Sequence, residues 1–260
     1  MSEKSMHGKT LFVSGGTRGI GKAIVYAFAK KGCNVAFTYA SSADAANEII
    51  ADVESTYDVK ARAYKLNILE PLTYKDVYKE FDADFDRLDY FISNAIISGR
   101  AVVGGFAPFM RLKPKGLGNI YTATVEAFVV GAQEAAKRME AVGGGSIISM
   151  SSTGNLVYTP NYAGHGTNKA AVETMVKYAA AELGEKNIRV NAVSGGPIDT
   201  DALKAFPNYE EVKAEVVARS PLSRMGDATD LTGACLFLCD ESASWLTGQT
   251  IVVDGGTSFQ

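Results

Sequence analysis

Cysteine is scarce in this sequence: Cys33, Cys235 and Cys239 are the only three among 260 residues. An odd, sparse set argues against a disulfide framework and suits a reducing compartment. Cys235 and Cys239 stand four apart in an apolar run. No His or second Cys pair accompanies them, so they read as buried core thiols rather than half a metal site. Long hydrophobic runs are also missing. The opening MSEKSMHGKT has no apolar signal core, and the first apolar run, residues 11–13, is far too short to span a bilayer. A cytoplasmic protein is expected. Positive charge is not in excess either. A formal net charge of -3 offers no basic field to nucleic acid or an anionic membrane. No Pro/Ser-rich linker and no internal repeat divides the chain, so a single domain over residues 1–260 is expected.

What is present is a rhythm of short apolar runs, turns and amphipathic helices. Residues 10–14, 34–39, 61–67, 88–93, 145–149, 188–193 and 250–253 read as about seven strands. Helices are expected at 21–31, at 43–57, and after the third strand through Phe85. Alternating β and α along a whole chain means a parallel sheet with helices on both faces, an α/β Rossmann-type fold. Two stretches break the rhythm. Residues 106–118 read as irregular and basic, and 201–208 (DALKAFPN) as a loop after a glycine-rich turn. Ligands in open α/β sheets bind beyond the C-terminal strand ends, so 201–208 is a candidate lid.

Residues 14–21 read SGGTRGIG, directly after the first strand and at the start of the first helix. Gly15 permits a tight turn, Gly19 a close backbone approach to a pyrophosphate, and Gly21 close packing of helix on strand. The helix N-terminus then turns free N–H groups toward phosphates. A nicotinamide dinucleotide is the expected cofactor, with Thr17 and Ile20 in the same turn among its contacts. An NAD site usually ends the second strand with Asp or Glu. Here the strand runs into Tyr39-Ala40-Ser41-Ser42, without an acid. Arg18 and Ser41 are therefore expected to meet a 2′-phosphate, which favours NADPH.

At this point the chain resembles the short-chain dehydrogenase/reductase family over almost its full length. The resemblance is carried by Gly15-x3-Gly19-x-Gly21, Ser93-Asn94-Ala95, Ser151-Ser152, a helix with Lys169, Gly196-Pro197-Ile198, and Val253-Asp254-Gly255-Gly256. The family's usual Tyr-x3-Lys is altered here. Four residues before Lys169 stands His165, and the phenol is Tyr162, seven before the lysine. That x6 spacing is similar to the enoyl-[acyl-carrier-protein] reductases, a divergent branch, and residues 191–204 resemble its NADPH-using FabL type.

The resemblance implies reduction of a trans-2-enoyl thioester carried by an acyl carrier protein, in a homotetramer. It implies that Tyr162 hydrogen-bonds a developing enolate oxygen and that Lys169 grips the nicotinamide ribose. Ser152 occupies the position of the family's catalytic serine. Pro197, Ile198 and Thr200 would meet the carboxamide and phosphate side of the cofactor. Asn94 and Ala95 would lie along the ribose, and Asn67 and Ile68 near the adenine. Tyr158 is expected to line the acyl pocket. His165 stays open as an alternative acid, although Gly164 and Gly166 suggest a loosely built helix start. Two other readings stay open: a carbonyl or 3-oxoacyl reductase using Ser152, and a redox-silent NADP-binding protein.

Overall fold

The computed structural model describes residues 5–97, 102–200, 203 and 209–259. Seven strands form one sheet: β1 (Thr10–Val13), β2 (Asn34–Tyr39), β3 (Ala61–Lys65), β4 (Tyr90–Ser93), β5 (Gly145–Ser152), β6 (Ile188–Gly195) and β7 (Thr250–Val253). Their order is β3-β2-β1-β4-β5-β6-β7, and every pairing is parallel. The helices are α1 (Gly19–Lys30), α2 (Ala43–Thr56), α3 (Tyr74–Asp84), α4 (Pro114–Tyr121), α5 (Ala127–Ala141), α6 (Ala163–Leu183), α7 (Tyr209–Arg219) and α8 (Thr232–Cys239). The expected fold class is thus observed.

Strand residues alternate between faces, so a sheet covered on both sides needs apolar residues at successive positions. In β1, Phe12 joins an aromatic cluster with Tyr78, Phe81, Phe91 and Phe128, beneath α3 and α5. Its neighbours Leu11 and Val13 join Ile24, Phe28, Val35, Cys235 and Leu238 on the opposite face, beneath α1 and α8. All three cysteines are buried and free, as core thiols. No helix among the described residues is long and apolar enough to cross a membrane.

The structure changes four local expectations. β5 and β6 run on to Ser152 and Gly195, because Met150–Ser152 pair with Val193–Gly195. The first helix opens at Gly19 rather than Gly21. Residues 106–118 are not irregular throughout: a 3-10 turn at Phe109–Arg111 leads into α4, with Pro114 in its first turn. The expected lid, 201–208, lies outside the described residues except for Leu203.

Candidate active site

The strand order reverses at β1, with β2 and β3 on one side and β4 to β7 on the other. A crevice opens there, between the C-terminal ends of β1 and β4. The glycine turn fills one lip of it. Ser14 Oγ accepts the backbone N–H groups of Asn94 and Ala95 at 2.9 and 3.0 Å. The Asn94 side-chain amide donates back to the Ser14 and Gly15 carbonyls, each at 3.0 Å. Gly15 N donates to Thr38 Oγ1 at 3.0 Å. Asn94 therefore builds the turn with both its side chain and its backbone N–H, and Ala95 with its N–H.

The turn needs its glycines for separate reasons. Gly15 has φ +74, and a Cβ there would lie 3.1 Å from Ala95. A Cβ at Gly21 would lie 1.9 Å from the Gly15 carbonyl oxygen, so helix and strand could not approach as they do. Gly19, at φ +52, has open space, and the nearest atom is the Thr200 methyl, 3.9 Å from a Cβ built there. That contact brings Thr200 from the β6 loop to the phosphate turn. Arg18 is the extended N-cap of α1 and gives no side-chain cap. The first helical hydrogen bond runs from Lys22 N to the Arg18 carbonyl. The N–H groups of Gly19, Ile20 and Gly21 are thus left pointing out of the helix end, beside Thr17, in the arrangement a pyrophosphate fits. Arg18 and Ser41 are both exposed, and their side chains make no hydrogen bond or ion pair among the described residues. Ile198 is buried beside Pro197 and bridges to Gly226 through its backbone. Ile68 packs into the core, while the Asn67 side chain closes the local turn with Leu69 N and Glu70.

The second lip is made by the end of β5 and the start of α6. Lys169 is buried, and its ammonium donates to the Met150 carbonyl at 2.6 Å. Burial pulls its pKa down to about 8, with the Glu173 carboxylate working in the opposite direction. Tyr162 is the N-cap of α6, not a residue inside it. The phenol therefore sits on the loop that enters the helix, beside the Ser152 hydroxyl. Burial raises the phenol pKa, while hydrogen bonding from Ser152 lowers it. Tyr162 is a neutral donor across the physiological range.

The helix start is tightly packed, which corrects the loose reading of Gly164 and Gly166. A Cβ at Gly164 would lie 2.2 Å from the Gly105 carbonyl oxygen, and one at Gly166 2.6 Å from that of Gly154. The Tyr162 ring lies against Gly154, where a Cβ would come within 2.5 Å of it. His165 stacks on Tyr162 at 5.2 Å between centroids, and Phe106 meets both rings edge-on at 6.2 and 6.1 Å. Burial, and then the Lys169 charge, lower the His165 pKa to about 4. A neutral imidazole at that site is a poor acid. Tyr158 is 87% exposed among the described residues. The sequence reading gave no role to Phe106, Ser151 or Glu173. Glu173 left a local signal in its i+4 spacing from Lys169.

Comparison with known proteins shows the family and the fold. A family model described as "Enoyl-(Acyl carrier protein) reductase" matches residues 15–258. The chain is 36% identical to 1-cyclohexenylcarbonyl-CoA reductase of Streptomyces collinus, over 95% of its own length and 86% of that protein's. It is 32% identical to the 3-oxoacyl-[acyl-carrier-protein] reductase FabG of Staphylococcus aureus, over 95% and 97% of the two lengths. Among solved structures, a 7α-hydroxysteroid dehydrogenase complexed with NADH and 7-oxo glycochenodeoxycholic acid superposes with a TM-score of 0.88. It is 31% identical, covering 98% of this chain and 96% of that one. This chain belongs to the short-chain dehydrogenase/reductase family and is a nicotinamide-dinucleotide-dependent oxidoreductase.

Proposed function

We propose that the protein reduces an acyl thioester at the carbon β to the thioester carbonyl, using NADPH. The observation that carries this reading is the cluster of a half-buried, neutral Tyr162 phenol, the half-buried Ser152 hydroxyl and the buried Lys169 ammonium at the C-terminal end of β5. Bound nicotinamide supplies a hydride. The α1 N-terminus would hold its pyrophosphate, Lys169 its ribose, and Arg18 with Ser41 the 2′-phosphate. Ser152 and Tyr162 then meet the oxygen on which negative charge develops, where preorganised donors act most strongly.

Two oxidation levels of the β carbon fit that scheme. The relatives back the 3-oxoacyl level better: the FabG proteins align over nearly their whole length. Ser152 beside Tyr162 also suits a ketone oxygen that receives two hydrogen bonds and a proton from the phenol. A second reading, the trans-2-enoyl thioester, is favoured by the displaced Tyr162. Charge there develops on the thioester oxygen, two carbons from the hydride acceptor, and a donor moved along the chain suits it. The 36% identical relative is named for a substrate whose double bond adjoins the carbonyl. An acyl carrier protein is the proposed donor of either substrate.

NADPH oxidation measured side by side with acetoacetyl and crotonyl thioesters tests the proposal. Turnover of the first selects the 3-oxoacyl level and turnover of the second the enoyl level. Turnover of neither, by a protein that binds NADPH, would overturn the thioester reading.

A further inference from the structure

Lys169 presents a physical problem that the site as described leaves unsolved. The residue is 7% exposed, and its ammonium's hydrogen-bond acceptor is the neutral Met150 carbonyl. Burial disfavours an ammonium unless a counter-charge offsets it. Glu173 lies one helical turn further along α6, on the same face as Lys169. Its carboxylate is held from the sheet: Ser151 Oγ donates to Glu173 Oε1 at 2.5 Å. Ser151 is itself buried and follows Met150 on β5. Two successive β5 residues thus hold the two partners, Met150 the ammonium and Ser151 the carboxylate.

The other groups around Lys169 cannot serve. His165, one turn earlier, is neutral, with its pKa lowered to about 4 by burial and by Lys169 itself. Tyr162 at the helix start is kept protonated by burial. From the sheet, β5 gives Lys169 the uncharged Met150 carbonyl, and the ends of β5 and β6, Ser151, Ser152, Ser194 and Gly195, carry no charge. Among the described residues, Glu173 is the charge that acts on Lys169.

We propose that Glu173, oriented by Ser151, is a positioning residue that keeps Lys169 protonated in its buried site, and so sets the upper pH limit of cofactor binding and turnover. The inference rests on the reading of Lys169 as the group that grips the ribose. Lys169 acts as a cation, so function is present below its pKa and is lost as pH rises through it. Removing the Glu173 charge lowers that pKa and moves the loss to lower pH.

The test measures kcat/KM and NADPH affinity, the latter by nicotinamide fluorescence, from pH 6 to 10 in wild type, Glu173→Gln, Ser151→Ala and Lys169→Arg. In Glu173→Gln the alkaline limb should move to lower pH by about half a unit or more, with near-wild-type values at pH 6. Ser151→Ala should move it the same way by less, and Glu173→Asp, measured in the same way, should show a smaller shift than Glu173→Gln. Lys169→Arg should abolish the limb, because a guanidinium does not deprotonate in this range. An unmoved limb in folded Glu173→Gln, or a loss equal at every pH, would overturn the role of Glu173. An unaltered limb in Lys169→Arg would instead overturn the reading of Lys169. If Glu173→Gln does not fold, the direction of the Ser151→Ala shift decides.

Discussion

Replacing Tyr162 by Phe removes one hydroxyl and leaves the ring. The ring's supports do not involve the hydroxyl: Gly154 beneath it, His165 stacked at 5.2 Å, and the Phe106 edge at 6.2 Å. The fold and the cofactor turn should therefore be unaffected. What is lost is a neutral donor, kept protonated by burial, at the point where an oxyanion develops. Loss of one such donor costs about 3 kcal/mol, roughly two orders of magnitude in kcat. His165→Phe is the matched control. It keeps an aromatic ring on Tyr162, slightly larger, and removes the imidazole nitrogens. With a pKa near 4, about one imidazole in a thousand is protonated at neutral pH, so little acid is removed. Its kcat should fall less than about threefold. Lys169→Ala should lose both NADPH affinity and rate. NADPH absorbance with the two thioesters gives kcat, and nicotinamide fluorescence gives binding. Abolished turnover in His165→Phe with near-normal turnover in Tyr162→Phe would refute the assignment of the phenol.

The sheet was legible because its strands are buried on both faces and read as continuous apolar runs between turns. The reading stopped short where pairing residues are small and polar. Ser151 and Ser152 pair with Ser194 and Gly195, and nothing apolar marks them as strand. Helix α4 was hidden by Gly116 and Gly118, which have low helix propensity. Gly116 is there for packing: a Cβ would lie 2.4 Å from Gly105 N. The same cause misled the reading of Gly164 and Gly166, whose partners are glycines distant in sequence. The cofactor turn was legible because its three glycines and the helix start they serve lie within residues 14–21, although Thr38 and Asn94, which brace it, come from other strands. The Tyr162 geometry was not, since a seven-residue spacing does not say whether the first residue is inside the helix or caps it. The Phe106 ring and the Ser151–Glu173 bond depend on segments brought together only by folding, 22 residues apart in the second case.

Arg18→Ala should raise the KM for NADPH about tenfold and leave NADH nearly unchanged; equal loss with both cofactors would remove Arg18 from the 2′-phosphate. Arg111, Lys113 and Lys115 are exposed on the segment that carries Phe106 to the phenol. Reversing Arg111 and Lys113 should harm carrier-bound substrates several-fold more than coenzyme A analogues, and equal harm would count against an acidic carrier docking there. Trp245 is 98% exposed and Val252, on edge strand β7, 41%. A homotetramer is expected by light scattering, and a monomeric mass at micromolar protein would refute it. The last prediction sets two glycines of α6 against each other. Gly184, its C-cap, has φ -58 and nothing within 4 Å of a built Cβ. Alanine there reduces unfolded-chain entropy without strain and should stabilise by about 0.4–1 kcal/mol. Gly164 has helical neighbours too, and helix propensity alone would favour alanine by about 1 kcal/mol. Its Cβ, however, would stand 2.2 Å from the Gly105 carbonyl oxygen, which is backbone and must move with the Phe106 segment. Overpacking of that kind costs about 1–3 kcal/mol, so the net sign reverses. Thermal unfolding should therefore rank Gly184→Ala above wild type and Gly164→Ala below it. Gly164→Ala should also lose turnover, because shifting Gly105 displaces the ring that meets Tyr162 and His165 edge-on. Equal stabilisation by both alanines would show that the helix start is not held against residues 104–106.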